Sequence, residues 1–299
     1  MSSMDPFRSM LFIPANNEDW VRDAPENFDA DGYIFDIEDS VPPGEKQEAR
    51  EILRDAYSNL EAYDINVTAR VNDPDTGFLE QDLKEIVHER LDGIVFPKAM
   101  NADQIKHVDS VLTYLEDIRD IDDPVQILIV PETAKGMYNA YELCTASDRV
   151  YSISGGTSRG ADIQRALNWE WTAEGREKLY MLSKINMEGR AADIPEITGG
   201  AWTDIEDVEG LKNEAQMLKE IGYTSYHVIH PSHIEPINEI FTPDEDEVDY
   251  YQRLMEEMDR AELEEGRAAV EFEGEMIDIA HIKTGEKVLE RARAFDMVD

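Results

Sequence analysis

Cysteine is nearly absent: Cys144 is the only one in 299 residues, so no internal disulfide can form. Its apolar neighbours point to a core position on a helix rather than to a catalytic thiol. Long apolar runs are missing too. No stretch of 18 apolar residues occurs, which leaves no candidate for a membrane-spanning helix. Met1 to Asp5 show no basic segment followed by an apolar one, so no signal peptide is expected and a cytoplasmic location is. Basic residues are scarce, with 28 Lys and Arg against 67 Asp and Glu and a net charge of −39. No basic stripe exists, so nucleic acid is not an expected partner.

The acids run through every helical segment. In dilute buffer such a chain repels itself, whereas at molar salt the Debye length shrinks to about 3 Å and the repulsion is screened. The even spread favours adaptation to a salt-filled cytoplasm, that is, a halophilic protein, over a local acidic binding surface. A hydrophobic content of 41% is enough for one large core, hence one main domain with a small appendage.

Short apolar runs alternate with longer amphipathic ones. The candidate strands are Ser9–Pro14, Gly32–Ile37, Asn66–Val71, Gly93–Pro97, Gln126–Val130, Val150–Ser154, Asp193–Ile197 and Thr224–Ile229. Candidate helices between them include Lys46–Leu60, Leu79–Arg90 and Asp103–Asp117. Buried-type strands alternating with helices imply parallel sheet. Eight such units predict the α/β class and a closed (β/α)₈ TIM barrel over residues 1–243; a doubly wound open sheet is the alternative. The long spacing between the sixth and seventh units predicts an extra helix or loop around Trp169–Arg176. Residues 244–299 read as a C-terminal helical extension or lid that contributes to a neighbouring subunit. Its acidic helix spans Asp244–Ala269, with Tyr250, Leu254, Met255, Met258 and Leu263 near helical spacing. A short piece, Val270–Ile279, turns at Gly274, and a final helix runs from Ile282 to Ala294.

Chemistry in such barrels sits at the C-terminal strand ends. Strand 2 ends in Asp36-Ile-Glu38-Asp39, strand 3 carries Arg70 and Asn72, and strand 4 ends in Pro97-Lys98. Strand 5 ends in Pro131-Glu132-Thr133. Strand 6 opens into Gly155–Gly160 and Asp162, and strand 8 into His230-Pro231-Ser232-His233. Mg²⁺ needs few protein carboxylates, because water and substrate oxygens complete its shell. Glu132 and Asp162 are the candidate ligand pair, with Glu38 and Asp39 behind them; for any single acid the plainer reading is solvation. Arg70 should hold an anion, either a substrate carboxylate or, structurally, Glu38. His230 and His233 have no cysteine nearby, so zinc is not expected.

Seven motifs in order resemble those of the citrate lyase β-subunit-like family, related to the HpcH/HpaI aldolases. They are Arg8-Ser-Met-Leu-Phe-Ile-Pro14, Phe35-Asp-Ile-Glu-Asp-Ser-Val41 with Lys46 and Arg50, Arg70-Val-Asn72, Phe96-Pro-Lys98, Pro131-Glu-Thr133, Ile229-His-Pro231 and Gly274-Glu-Met-Ile-Asp278. In character the chain is most similar to the malyl-CoA and β-methylmalyl-CoA lyases of halophilic archaea. The resemblance implies Mg²⁺, replaceable by Mn²⁺, on Glu132 and on an aspartate after strand 6. The family spacing of about 26 residues from Glu132 falls on Ser158, and the longer loop here moves the role to Asp162. It further implies catalytic roles for Arg70, Glu38, Asp39 and Asp278, the last as general acid/base in a lid over a neighbouring subunit. Coenzyme A contacts are implied for Arg8, Lys46, Arg50, Lys98, His230, Pro231 and Ser232. For Lys46 and Arg50 the rival reading is a surface helix with salt bridges.

The expected activity is reversible, Claisen-type cleavage of a 3-hydroxyacyl-CoA such as malyl-CoA or β-methylmalyl-CoA, giving glyoxylate and acetyl-CoA or propionyl-CoA, in a homotrimer or hexamer. The alternatives are a citrate lyase β subunit acting on a citryl thioester, a malyl-CoA thioesterase on the same scaffold, and a catalytically retired barrel serving as an interaction module.

Overall fold

A computed structural model describes residues 4–265, 270–277 and 279–298. Eight parallel strands close a barrel in sequence order: β1 Ser9–Pro14, β2 Gly32–Asp36, β3 Asn66–Arg70, β4 Gly93–Pro97, β5 Gln126–Val130, β6 Val150–Ser154, β7 Glu196–Gly200 and β8 Ser225–Val228. Around them lie α1 Glu18–Asn27, α2 Lys46–Leu60, α3 Leu79–Ile86, α4 Ala102–Arg119, α5 Ala134–Tyr138, α6 Ala140–Cys144, α7 Asp162–Leu167, α8 Leu179–Ala191, α9 Val208–Glu220 and α10 Ile234–Phe241. The expected closed barrel is thus the observed one.

Successive strand residues face opposite sides of the sheet, and the core divides accordingly. Met10, Ile34, Val95 and Leu128 join Phe7 and Tyr151 inside the barrel. Their chain neighbours Leu11, Phe35, Phe96 and Ile129 pack outward in the larger cluster beneath the helices. Burying both faces is why these strands read as continuous apolar runs.

β7 begins three residues later than the sequence suggests. Asp193 closes the turn after α8 at φ 55°, and Pro195 cannot donate to the ladder. The strand instead uses Gly199 and Gly200. A Cβ on Gly199 would stand 2.4 Å from Leu218 and 3.0 Å from Tyr226. The segment around Trp169–Arg176 is a loop joining α7 to α8.

Packing divides the chain into two units, Met1–Phe241 and Thr242–Asp299. The second contains α11 Glu245–Glu265, the antiparallel hairpin β9 Val270–Phe272 and β10 Glu275–Ile277, and α12 Ile279–Ala294. Glu273 and Gly274 both have positive φ, the backbone that a two-residue hairpin turn requires. Leu254, Met258 and Ile277 form a small core with Tyr250, Phe272 and Ile282. Residues 266–269 of the anticipated long helix, and Asp278, lie outside the described residues. Among the described residues no helix is long and apolar enough to cross a membrane.

Candidate active site

Asp36 ends a fully buried strand, and Arg70 stands opposite it in the β2–β3 register. Arg70 Nε and Nη2 donate to Asp36 Oδ1 and Oδ2, each at 2.7 Å. The same carboxylate accepts the backbone N–H of Glu38 at 2.9 Å and of Ser40 at 3.1 Å. Burial alone would raise the Asp36 carboxyl, but the hydrogen bonds and charge of Arg70, together with the Ser40 and Glu38 hydrogen bonds, hold it below its ordinary range. Burial would likewise lower Arg70, and Asp36 more than compensates. The guanidinium also lies over the Phe12 ring, 4.9 Å from its centroid.

Glu38 follows on the β2–α2 loop. Its Oε1 accepts from Lys98 Nζ at 2.7 Å, and Oε2 is buried without a hydrogen bond among the described residues, 3.3 Å from Arg70 Nη1. Burial pushes this carboxyl up against the pull of the two cations. Lys98 adopts φ 54°, and its Nζ also lies 3.6 Å from Asp39 and 3.5 Å from Asp162. Burial would lower this ammonium, but Glu38 raises it overall.

Glu132, beyond β5, shares a cavity of about 340 Å³ with Asp36, Arg70 and Phe12. Its carboxylate makes no hydrogen bond or ion pair among the described residues. Burial first, with Glu38 and Asp39 adding repulsion and Arg70 and Lys98 opposing, lifts it to about 7. Ser158 and Ala161 line the same cavity. Ser158 Oγ accepts the Ala201 N–H at 2.8 Å. Asp162 is the first residue of α7, paired with Arg165 and Lys98.

Arg70, Glu38, Asp39, Lys98, Glu132 and Asp162 therefore gather at the C-terminal ends of the strands. Of the other anticipated residues, His230, Pro231 and Ser232 also follow a C-terminal strand end, that of β8, and Arg8 does not. Arg8 precedes β1 and binds Asp31, ahead of β2, with Nε 2.9 Å and Nη2 2.6 Å from the carboxylate. In a parallel barrel this is the opposite rim, so its expected contact with coenzyme A does not follow. Lys46 is buried, and its Nζ donates to the carbonyls of Ile37 at 2.8 Å and Glu38 at 3.0 Å. Arg50, also buried, pairs with Asp82 at 2.7 Å, and Asp82 in turn accepts from the Asn72 backbone and side chain. Both expectations, coenzyme A contact and surface salt bridges, give way to buried props for the loops that carry Glu38 and Asn72. His230 Nδ1 accepts the Ser232 N–H at 3.3 Å and caps the turn Pro231–His233; Ser232 is exposed.

Sequence reasoning missed Asp36 as the partner of Arg70. The signal was present: a lone acid ends the apolar run Gly32–Asp36, and a lone arginine ends the next strand. His227 and Ser154, which also line the cavity, were missed because a single polar residue inside a barrel strand carries no spacing signal.

Among the described residues no three His, Cys, Asp or Glu side chains form a metal-binding cluster. The donor set still suits a hard divalent cation. Glu132 offers an unpaired carboxylate, Asp162 can add a second, and Mg²⁺ takes its other positions from water and substrate.

The sequence profile of the HpcH/HpaI aldolase/citrate lyase family matches residues 8–231. Citrate lyase subunit beta of Leuconostoc mesenteroides subsp. cremoris is 30% identical over 295 residues, covering 98% of this chain and 95% of its own. L-malyl-CoA/beta-methylmalyl-CoA lyase of Cereibacter sphaeroides is 28% identical, covering 88% and 87%. The structure of protein CitE from Mycobacterium tuberculosis in complex with magnesium, acetoacetate and coenzyme A superposes with a TM-score of 0.71, at 25% identity and 98% and 100% coverage.

Proposed function

The chain belongs to the HpcH/HpaI aldolase/citrate lyase family, and from that membership we propose a magnesium-dependent lyase that cleaves a carbon–carbon bond in a coenzyme A-type thioester, with a citryl thioester as the favoured substrate. The observation that carries this reading is the pairing, in one cavity, of a guanidinium locked by Asp36 with the unpaired carboxylate of Glu132. The CitE relative, solved with magnesium, a keto acid and coenzyme A, supports the same ligand set. Malyl-CoA and β-methylmalyl-CoA stand second, because similarity to citrate lyase subunit beta is the higher.

In cleavage the β-hydroxyl loses its proton to a base and becomes the keto carbonyl. The bond to the thioester α-carbon breaks, and its electron pair remains there as an enolate. A proton returned to that carbon completes the acyl thioester. Arg70 binds a substrate carboxylate with the N–H groups that Asp36 leaves available. Asp36 and the Phe12 face fix its plane, so the carboxylate is oriented before the bond breaks. Lys98, held by Glu38, adds a second positive charge over the oxygens that become negative. Glu38 and Asp39 act through Lys98 as positioning residues. Glu132 and Asp162 would hold magnesium, which would supply Lewis-acid polarisation at the carbinol oxygen. Asp278 is the proposed general acid for the enolate carbon.

The test is a panel of citryl-CoA, malyl-CoA and β-methylmalyl-CoA with Mg²⁺, read separately for keto acid and for free thiol. Keto acid without free thiol, fastest from citryl-CoA, is expected. Free thiol without keto acid would make the chain a thioesterase, and neither product from any thioester would remove the lyase reading.

A further inference from the structure

The cavity holds two buried polar atoms with no hydrogen-bond partner among the described residues. His227, on β8, is 4% exposed, and its Nε2 is buried without a hydrogen bond. Ser154 Oγ, on β6, is buried and equally unpartnered. Buried polar atoms are nearly always paired, so two such atoms in one cavity call for an explanation. β7 lies between the two strands and contributes Gly200 opposite His227. A Cβ there would stand 2.4 Å from the His227 carbonyl, and φ is +109°. At this position β7 therefore places no side chain between histidine and serine. On its other side the imidazole meets the edge of Phe12 at 5.6 Å, the same ring that carries Arg70.

Resting on the lyase reading above, we propose that His227 is a substrate-positioning residue: its imidazole, with the Ser154 hydroxyl, hydrogen-bonds an oxygen of the short keto-acid half of the substrate while Arg70 takes the charge of its carboxylate. Phe12 and Val130, which line the same cavity, have apolar side chains. Burial, and after it the charge of Arg70, hold His227 down at about 3, so the ring is neutral at working pH and offers one N–H donor and one acceptor. It supplies direction and leaves the charge to Arg70.

The test compares His227→Phe, which keeps the ring and removes the nitrogens, with His227→Gln, which keeps an N–H donor, and with Ser154→Ala. Oxaloacetate is titrated calorimetrically into each protein with Mg²⁺ and without coenzyme A, so the readout needs no turnover. His227→Phe should bind about ten- to a hundredfold more weakly, the scale of one hydrogen bond to a charged group. Ser154→Ala should lose about three- to tenfold, and His227→Gln should recover most of the loss. In the condensation direction the KM for keto acid should rise while that for the acyl thioester stays level. Unchanged affinity in His227→Phe, equal losses in Phe and Gln variants of unchanged melting temperature, or both KM values rising together would overturn the assignment, as would wild-type protein that does not bind oxaloacetate. If instead oxaloacetate binds and depends on His227 while no thioester is cleaved, the lyase reading fails and the positioning role stands.

Discussion

Asp36 and Arg70 meet at the same step of adjacent strands and share two hydrogen bonds of 2.7 Å. The pair joins the two loops that bring Glu38 and Asn72 to the barrel mouth. Arg70→Lys keeps the charge but loses the planar fork. It should stay folded and lose about 10²-fold or more in kcat/KM, on the scale of a removed electrostatic contact in an active site. Asp36→Asn should do similar damage by freeing Arg70 to rotate. Steady-state kinetics beside a melting curve checks both; near-normal turnover in Arg70→Lys would leave Arg70 a structural residue.

Glu132 gives the fold a pH dependence of its own. Its folded value, about 7, lies above the ordinary 4.5. Between these two values the folded chain keeps a proton that the unfolded chain has lost, so stability falls as pH rises through the window. Glu132→Gln removes that dependence. In metal-free buffer the melting temperature of the variant relative to wild type should climb from pH 5 to pH 8. A difference that stays constant would mean that Glu132 ionises as an ordinary carboxylate.

Metal removal separates the two proposed ligands. EDTA should abolish cleavage, with Mg²⁺ or Mn²⁺ restoring it. Glu132→Ala and Asp162→Ala should each weaken Mg²⁺ binding in a calorimetric titration, whereas Ser158→Ala, whose hydroxyl serves the Ala201 N–H, should leave it unchanged. Full binding and activity in Asp162→Ala would remove that residue from the metal site.

The barrel was legible because its strands are buried on both faces, which writes them as apolar runs such as Gln126–Val130 and Val150–Ser154. β7 was misplaced because Gly199 and Gly200 lack the side chains that mark a strand. The candidate site was legible where charge ends a strand, as at Arg70, Lys98 and Glu132. The buried places of Lys46 and Arg50 were not legible, because a cation on a helix looks the same in sequence whether it faces solvent, caps carbonyls or pairs with a buried acid. The pairing of Arg8 with Asp31 was not legible, because a motif carries no record of which rim of the barrel it occupies. His227 has no signal at all until β8 is seen opposite Gly200.

The charge excess should be visible in salt. Screening lessens repulsion among the 67 acids, so the circular-dichroism melt should move upward as KCl rises from about 0.1 to 3 M, where the Debye length falls from about 10 Å to below 3 Å. A flat or falling melting temperature would count against adaptation to a salt-rich interior.

The enolate left after cleavage needs a proton, and the groups at the strand ends already have other proposed tasks: Arg70 and Lys98 would hold charge, and Glu132 and Asp162 would hold the metal. Asp278, in the motif Gly274-Glu-Met-Ile-Asp278, is the carboxyl that the family resemblance assigns to that carbon from a neighbouring subunit. Its neighbour Ile277, which ends β10, is buried with Leu254 and Met258, so the segment before it is anchored. Asp278→Asn should lose about 10²-fold or more in turnover, the usual scale for positioned proton transfer, with Mg²⁺ affinity little changed. Mixing Asp278→Asn with Glu132→Ala under subunit exchange should restore part of the activity, because some mixed oligomers would hold one site with both groups intact. Proven exchange without recovery would confine the site to a single chain, and a fully active Asp278→Asn would end its acid/base role.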